Sequence, residues 1–287
     1  MKIFKIKSYC KVNLTLKVLK RLRNGYHNIN SLITFCNLHD VITIQKINSI
    51  KDKVSFSGQF RHGVDNRYNT ITKTLKLFRK YKLLTNQSFK INVEKNIPHG
   101  SGLGGASSNA AHLMIFLNKK MHLQLSKKKI VKLARYIGFD TPITLEKKNT
   151  ILTGKKDEIL RFKQKLGLNI LIVYPNIFCS TKKIYVKNKN ISSSNSRFKF
   201  NNKSKKNLIN FLRREGNDLQ STSIKLYPQI KRVIDLIRIQ NGCYFSRITG
   251  SGSACFGIFS NVETSIFAMK LIKSKFPKYW CVISKTI

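Results

Sequence analysis

A cluster of four glycines within residues 100–105 is the feature of the sequence that points most directly to chemistry. It follows a short apolar stretch at 89–93 and precedes an apolar run at 107–118. Glycine lets backbone N–H groups approach an anion closely and adopt positive φ values. A helix that begins directly after such a loop adds unpaired N–H donors and partial positive charge. The segment is therefore predicted to be a phosphate-binding loop between a strand and a helix.

Ser107 and Ser108 stand where this helix is predicted to begin, so their hydroxyls could cap it or contact phosphate or a metal shell. The segment is not a Walker loop, because no Gly-Lys-Ser/Thr closes it, and its spacing does not fit the dinucleotide fingerprint. The alternative interpretation is a glycine-rich turn that only joins a strand to a helix.

Acidic residues are scarce, which makes a candidate general base easy to find. The chain has 12 Asp and Glu against 55 Lys and Arg. Asp140 follows Gly138 at the end of a predicted helix and precedes Pro142, so it lies on a short, fixed turn. A carboxylate at this point could accept the proton of a substrate hydroxyl. The alternative is an ordinary residue of a helix-end turn.

Hydrophobic periodicity and turn residues predict a mixture of strands and helices. Strands are predicted from β-branched or continuously apolar runs at 41–45, 89–93, 168–174 and 254–259. Helices are predicted from apolar residues at helical spacing at 70–81, 107–118, 126–137 and 264–275. Ser126 is expected to cap the third of these helices, and Gly138 to end it. This mixture indicates an α+β fold.

The length of 287 residues allows one large domain or two closely packed ones. A strand-rich block begins near Thr150, which predicts an N-terminal lobe over 1–152 and a C-terminal lobe over 153–287. Between 187 and 207 the composition falls to Lys, Asn and Ser, which indicates a solvated loop or a partly disordered insert. A nucleic-acid-binding tail is the alternative for this stretch.

The formal net charge of +43 suggests nucleic acid or an anionic membrane as a partner. Most of the basic residues are Lys and are scattered along the chain, whereas specific nucleic-acid recognition favours Arg. The charge is therefore interpreted as a surface property, and neither a specific nucleic acid nor a membrane is expected as a partner.

The location expected from the sequence is cytoplasmic. No apolar run approaches the roughly 18 residues that cross a bilayer, and residues 1–11 lack the apolar core of a signal peptide. The six cysteines form no Cys-x-x-Cys pair, and the six histidines show no metal-ligand spacing beside them, so no protein metal site is predicted. Buried free thiols in a reducing compartment are expected.

Three stretches resemble the motifs of the GHMP kinases, the small-molecule kinases that include galactokinase, homoserine kinase and mevalonate kinase. Residues 98–111 resemble the family's phosphate-binding motif, residues 11–16 its first motif, and residues 246–255 its third. The three stretches occur in the family's order. The resemblance implies a two-lobed α+β fold with the active site in the cleft between the lobes, and transfer of a phosphoryl group from ATP to a hydroxyl.

Three shorter stretches narrow the resemblance to the branch of the family that phosphorylates a cytidylated sugar alcohol on a route to isoprenoid precursors. They are residues 25–27, 138–142 and 217–219. The similarity extends over almost the whole chain, and the Lys-rich stretch at 187–207 is its least matched part.

The resemblance implies that Asp140 is the base that accepts the substrate hydroxyl proton and that Lys11 is its partner. An ammonium beside Asp140 would keep the carboxylate ionised and favour a developing alkoxide. Mg²⁺ is expected through the ATP phosphates, with Ser108 as a possible ligand.

The resemblance also implies a set of ATP-binding residues. They are Asn69, Lys95, Pro98, Gly100, Ser101, Gly102, Leu103, Gly104, Gly105, Ser107 and Ser108. Asn69 and Lys95 match positions that contact adenine, and the residues of the glycine-rich loop surround the phosphates.

The implied substrate-binding residues are Asn13, Tyr26, His27, Thr181 and Tyr185. Tyr26 and Tyr185 match an aromatic pair that stacks on the two faces of cytosine, and His27 matches the residue that reads the edge of the base. Asn13 matches a residue that contacts the diphosphate or erythritol region, and Thr181 is a weaker candidate.

Alternatives stay open for the substrate side and for the whole chain. Tyr26 and Tyr185 could be core aromatics and His27 a core histidine. The chain could be another GHMP kinase that acts on a small alcohol or, in a different class, a basic nucleic-acid-binding protein. The sequence is compatible with a monomer or a homodimer.

Overall fold

The structure, a computed structural model, describes residues 2–22, 27–153, 158–192 and 204–287. The chain forms two compact units whose segments alternate along the sequence. Unit 1 comprises the described parts of Met1–Cys10, Leu38–His99 and Gly104–Lys147. Unit 2 comprises the described parts of Lys11–Asn37, Gly100–Leu103 and Lys148–Ile287.

The last and longest segment of unit 2 begins at Lys148, close to the predicted lobe boundary. Because earlier segments alternate between the two units, the single division into lobes 1–152 and 153–287 stays a prediction.

The strands of unit 1 are built around the second part of a long strand. Strands β1 (Ile3–Asn13) and β3 (His27–Ile47) are each divided between the two units. The first part of β1 and the second part of β3 belong to unit 1, and the remaining parts belong to unit 2. In unit 1, β3 pairs antiparallel with β5 (Ser88–Glu94), from Val41 opposite Glu94 to Ile47 opposite Ser88. Strand β4 (Lys53–Ser57) pairs parallel with β5.

The helices of unit 1 have the caps that their sequences encode. Asn69 caps α1 (Thr70–Lys80), and Ser126 caps α3 (Lys127–Ile137) by accepting a hydrogen bond from Lys129 N. Helix α2 (Gly105–Lys120) packs against α1, α3 and the short α4 (Thr141–Thr144).

The core of unit 1 joins alternate residues of the strands to the apolar faces of the helices. Buried members of this core include Ile42, Ile44, Ile91, Phe78, Leu113, Met114 and Leu133.

Unit 2 holds the first part of β3 and a separate antiparallel sheet. Strand β2 (Lys17–Arg21) and β6 (Asn149–Thr153) pair antiparallel with β3, and β7 (Glu158–Phe162) pairs with β6. The separate sheet has the order β11 (Trp280–Lys285), β8 (Asn169–Tyr174), β10 (Cys255–Phe259), β9 (Cys243–Ile248).

The described part of unit 2 also contains five helices, three of which pack on this separate sheet. They are α5 (Thr181–Lys187), α6 (Lys205–Arg214), α7 (Gln220–Leu226), α8 (Gln229–Arg238) and α9 (Val262–Lys275). Helix α8 packs on β9 and β10, and α9 on β8 and β11. The buried core between them includes Leu171, Val173, Ile230, Val233, Ile237 and Phe259.

The structure confirms the predicted helices and strands to within a few residues at their ends, except that the strand predicted at 41–45 is the last part of β3, which already begins at His27. It corrects the predicted loop over 187–207 at its C-terminal end, because α6 begins at Lys205 and is capped there by Ser204. Residues 193–203 of that stretch lie outside the described residues. Among the described residues, no helix combines the length and apolar character needed to cross a membrane.

Candidate active site

Three of the four clustered glycines adopt backbone conformations that favour glycine. Gly100, Gly102 and Gly104 have φ values of +65°, +82° and +71°. Residues with a side chain rarely adopt such values. The loop therefore has the conformation that the glycine spacing predicted, and it passes from unit 2 to unit 1 between Leu103 and Gly104.

The first half of the loop is fixed by backbone hydrogen bonds within unit 2. Lys11 N donates to Leu103 O at 3.0 Å, and Ala254 N donates to Ser101 O at 3.1 Å. A Cβ placed on Gly102 would lie 2.3 Å from Thr249 O. The first and third predicted motifs thus hold this part of the loop.

The second half of the loop begins helix α2 in unit 1. Gly104 is the N-cap residue and offers no side-chain hydrogen bond to the first turn. Ser108 N makes the first intrahelical bond, to Gly104 O at 2.9 Å. The preceding N–H groups have no acceptor within the helix. An uncapped helix start after a glycine loop fits a phosphate group.

The two serines of this helix start have different surroundings. Ser108 is fully buried, and its hydroxyl donates to Tyr9 O at 2.7 Å. Ser107 is partly exposed, and a Cβ placed on Gly138 would lie 4.0 Å from its Oγ. Ser107 therefore lies next to the turn that carries Asp140, whereas the Ser108 hydroxyl is hydrogen-bonded within the interior of unit 1.

The turn around Asp140 is built from local backbone bonds. Asp140 is the N-cap of α4, and its carbonyl accepts a hydrogen bond from Thr144 N at 3.2 Å. Thr141 N donates to Gly138 O at 3.2 Å, and Pro142 lies in the first turn of the helix. Since α4 packs on α2, the predicted base and the predicted phosphate-binding helix belong to one packed group in unit 1.

Lys95 and Asp40 form a buried ion pair behind the loop. One Asp40 oxygen accepts from Lys95 Nζ and, at 2.9 Å, from Asn109 Nδ2. The other oxygen accepts from the backbone N–H groups of Asn96 and Ile97, each at 2.8 Å. Asp40 thus holds the chain that enters the loop and the helix that leaves it.

Sequence reasoning missed this role of Asp40, although an acid within an apolar strand is a signal when only 12 acids are present. Lys95 was assigned to adenine from the resemblance. Its ammonium is buried in the pair with Asp40, and its contact with adenine stays a prediction.

The side chain of Asn69 is engaged within the start of α1. Its oxygen accepts from Ile71 N and Thr72 N, and its amide nitrogen donates to Asp65 O and Asn66 O. These bonds fix the residue at the helix start, and its contact with adenine also stays a prediction. Pro98 is buried where the chain enters the loop.

In unit 2, Lys11 and Asn13 lie side by side at the end of β1. Both are 4% exposed, and Lys11 Nζ donates to Asn13 Oδ1. Asn13 N donates to Thr249 Oγ1 at 3.0 Å, which joins the first predicted motif to the third.

Arg247 also joins the first predicted motif to the third, and sequence reasoning did not single it out. Its guanidinium donates to the carbonyl oxygens of Leu14 at 3.2 Å, Leu212 at 2.7 Å and Glu215. Burial lowers the pKa of Arg247 to about 10, so the group stays charged at neutral pH.

The structure brings His27 and Tyr185 together in unit 2. Their ring centroids lie 5.2 Å apart with planes inclined by 34°. Burial, with a smaller contribution from Arg21, lowers the pKa of His27 below its usual value. The Thr181 hydroxyl lies 2.8 Å from that of Ser251. Tyr26, the other predicted stacking residue, lies outside the described residues.

No group of three or more His, Cys, Asp or Glu side chains in the described part of the chain is arranged to hold a metal ion. Mg²⁺ is expected from the resemblance to bind through the phosphates of ATP. That expectation stays a prediction.

Comparison with known proteins defines the class. Residues 69–146 match the GHMP kinases N terminal domain, and residues 199–273 match the GHMP kinases C terminal domain. A relative that is 38% identical covers the full length of the chain. The chain belongs to the GHMP kinase family of ATP-dependent small-molecule kinases.

The similar curated proteins are named 4-diphosphocytidyl-2-C-methyl-D-erythritol kinase. One from Pelagibacter ubique is 38% identical over 100% of both chains. One from Caldanaerobacter subterraneus is 35% identical over 99% of this chain and 96% of its own length. One from Wolbachia pipientis is 31% identical over 98% and 97%.

Solved structures confirm the fold. A crystal structure of 4-(cytidine 5'-diphospho)-2C-methyl-D-erythritol kinase superposes with a TM-score of 0.76 at 23% identity, covering 99% of both chains. A homoserine kinase from Cytophaga hutchinsonii superposes with a TM-score of 0.73 at 13% identity, covering 100% of this chain and 95% of its own. The predicted mixed GHMP fold is thus confirmed.

Proposed function

We propose that this chain transfers the γ-phosphoryl group of ATP to the 2-hydroxyl of 4-diphosphocytidyl-2-C-methyl-D-erythritol, a step of the non-mevalonate (MEP) route to isoprenoid precursors. The observation that carries the proposal is the full-length match, at up to 38% identity, to proteins named for this substrate. The glycine loop supplies a backbone conformation suited to the phosphates of ATP. The His27–Tyr185 pair supplies two rings suited to the cytosine of the substrate.

On the ATP side, the loop and the start of α2 bind the phosphates. Positive φ values at three glycines and the uncapped helix start support this assignment. Mg²⁺ bound through the phosphates would neutralise part of their charge.

In the transfer step, the substrate oxygen attacks the γ-phosphorus as the bond from that phosphorus to the oxygen bridging the β-phosphate breaks, which releases ADP. Asp140 accepts the hydroxyl proton, and the Lys11 ammonium stabilises the negative charge that develops on the oxygen. The short turn that holds Asp140 beside α2 supports its assignment as the base.

On the substrate side, Tyr185 offers a ring for stacking on cytosine, and His27 offers ring nitrogens for its edge. The distance of 5.2 Å between their ring centroids supports a common role in binding cytosine. Tyr26 completes the aromatic pair in this proposal. Asn13 and Thr181 are assigned to the diphosphate and erythritol region.

The proposed enzyme is cytoplasmic, acts as a monomer or a homodimer, and requires neither a specific nucleic acid nor a membrane. Its small-molecule ligands are then ATP and the cytidylated substrate.

The proposal is tested by measuring ADP formation by the purified chain with and without the cytidylated substrate. Asp140→Asn should lower kcat by about 10²–10⁴-fold, because the base is lost while the shape is kept. Lys11→Met should also lower kcat. Asp235→Asn is the matched control, since Asp235 is a partly exposed acid paired with Lys231 and Arg238 on α8.

Near-normal turnover by Asp140→Asn would overturn the assignment of the base. Turnover of mevalonate or homoserine in place of the cytidylated compound would instead identify a different small-alcohol kinase of the same family.

A further inference from the structure

The side chains of Asn13 and Ser31 form a buried hydrogen-bonded chain that ends on Lys11. Asn13 Nδ2 donates to Ser31 Oγ at 2.8 Å, and Ser31 Oγ donates to Thr15 O. Ser31 is fully buried on β3, and Asn13 is 4% exposed at the end of β1. All of these residues belong to unit 2.

The direction of each bond in this chain is set by groups at its two ends. The carbonyl of Thr15 only accepts, so the single Ser31 hydroxyl proton is used there. Ser31 Oγ must then accept from Asn13, which turns the amide nitrogen of Asn13 toward Ser31. The amide oxygen consequently faces Lys11, whose ammonium only donates.

The rest of Asn13 is already fixed, so its amide orientation is selected by Ser31 at the nitrogen and by Lys11 at the oxygen. Its backbone N–H is bound to Thr249 Oγ1 at 3.0 Å. A Cβ placed on Gly250 would lie 3.5 Å from Asn13 Oδ1, so Gly250 lies beside the amide oxygen. The remaining torsion, about the bond to the amide group, is broad and roughly two-fold.

We propose that Ser31 is a positioning residue: it orients the Asn13 amide so that its oxygen holds the Lys11 ammonium in place for phosphoryl transfer. This inference rests on the proposed function, in which Lys11 stabilises charge on the reacting oxygen. Ser31 itself touches neither ATP nor substrate in this assignment.

Loss of the Ser31 hydroxyl leaves the Lys11 ammonium as the one remaining partner described for the Asn13 amide group. The amide is then held at one end only and can rotate about its terminal bond, and the Lys11 ammonium moves with the oxygen to which it donates. Small displacements of a catalytic group cost large factors in rate. The effect should therefore appear in kcat rather than in the binding of ATP.

The experiment compares Ser31→Ala and Ser31→Thr in steady-state assays with the cytidylated substrate. Ser31→Ala should lower kcat by about tenfold and leave the KM for ATP within about twofold. Ser31→Thr retains the hydroxyl and should restore most of kcat. Ser265→Ala is the matched control, because Ser265 is fully buried in α9 and its hydroxyl also donates to a backbone carbonyl.

A double-mutant cycle separates orientation from general packing. In Asn13→Asp, either carboxylate oxygen can face Lys11, so adding Ser31→Ala should change kcat by less than about twofold. An equal effect of Ser31→Ala in both backgrounds, or an unchanged kcat in the single variant, would overturn the proposal.

A measurement independent of turnover keeps the inference apart from the proposed function. The side-chain amide protons of Asn13, assigned by their loss in Asn13→Asp, should exchange slowly in the NMR spectrum of the wild type and faster in Ser31→Ala. If the wild type fails to phosphorylate the cytidylated substrate but shows this difference, the proposed function fails and the orienting contact stands. If the exchange rates are equal, the role of Ser31 is refuted.

Discussion

At the scale of single residues, the surroundings of His27 determine its protonation state. The ring lies beside Tyr185, and burial together with Arg21 lowers its pKa. A neutral imidazole offers one donor and one acceptor to the edge of a base, whereas the protonated ring offers only donors. The local environment therefore favours the neutral form that suits base recognition near neutral pH.

His27 should make cytidine binding dependent on pH. A base that covers the ring removes more water from it, which disfavours the charged form further. Because the pKa is already lowered, affinity should be constant near neutral pH and fall as the pH drops through that lowered pKa. Inhibition by cytidine, which carries no phosphate to titrate, measures this effect.

The control for this prediction is His27→Gln, which keeps a polar side chain but has no titrating ring. Its affinity for cytidine should be weaker and should vary less with acidity. Equal pH profiles for the two proteins would show that His27 does not contact the base.

At the scale of elements, the glycine loop depends on close packing as well as on backbone conformation. Gly102 and Gly63 have the same φ of +82°. A Cβ on Gly102 would meet Thr249 O at 2.3 Å, whereas a Cβ on Gly63 would have no atom within 4 Å. The two positions therefore separate backbone strain from steric conflict.

Gly102→Ala should be far more damaging than Gly63→Ala. The strain common to both is about 1–2 kcal/mol. Only at Gly102 must the loop also move away from a backbone carbonyl, which disturbs the predicted phosphate contacts. We expect the KM for ATP to rise about tenfold in Gly102→Ala and to stay near the wild-type value in Gly63→Ala.

Thermal denaturation and ATP kinetics of the two variants check this expectation. The same loss of stability and the same KM in both would show that the contact between the loop and Thr249 is unimportant.

At the scale of the whole molecule, the net charge of +43 coexists with an apolar core in each unit and with six free cysteines. Five of these cysteines are buried, and Cys243 is partly exposed. Burial raises the pKa of Cys179, Cys243 and Cys281 to about 11, and that of Cys255 higher still. These four thiols are thus mainly protonated at neutral pH.

The folded protein should react slowly with a thiol reagent such as Ellman's reagent. With a pKa of about 11, roughly one thiol in a thousand is ionised at pH 8, and only the thiolate reacts. Cys243 should be the first to react because it is the most accessible, and Cys243→Ser should remove that phase. All six thiols should react rapidly in denaturant.

Rapid reaction of several thiols in the native protein would contradict the closed packing of both units.

Local features could be predicted from the sequence because each is encoded within about a dozen consecutive residues. They are the glycine cluster, the helix caps, and the hydrophobic periodicity of the helices and strands. Ser126 and Gly138 delimit α3 as predicted. The turn at Asp140 was recognisable from the neighbouring Gly138 and Pro142. The same local motifs carried the resemblance to the GHMP kinases, which the comparisons confirm.

Contacts between distant parts of the chain were decided only by the tertiary structure. Asp40 meets Lys95 and Asn109 across 55 and 69 positions, and Asn13 meets Thr249 across 236. Hydrogen-bond partners of this kind depend on which strands and helices pack together, which a local pattern does not specify. The sequence by itself thus determined the family and the glycine loop that is predicted to bind phosphate, whereas the fold decided which buried groups hold that loop and which contact Lys11.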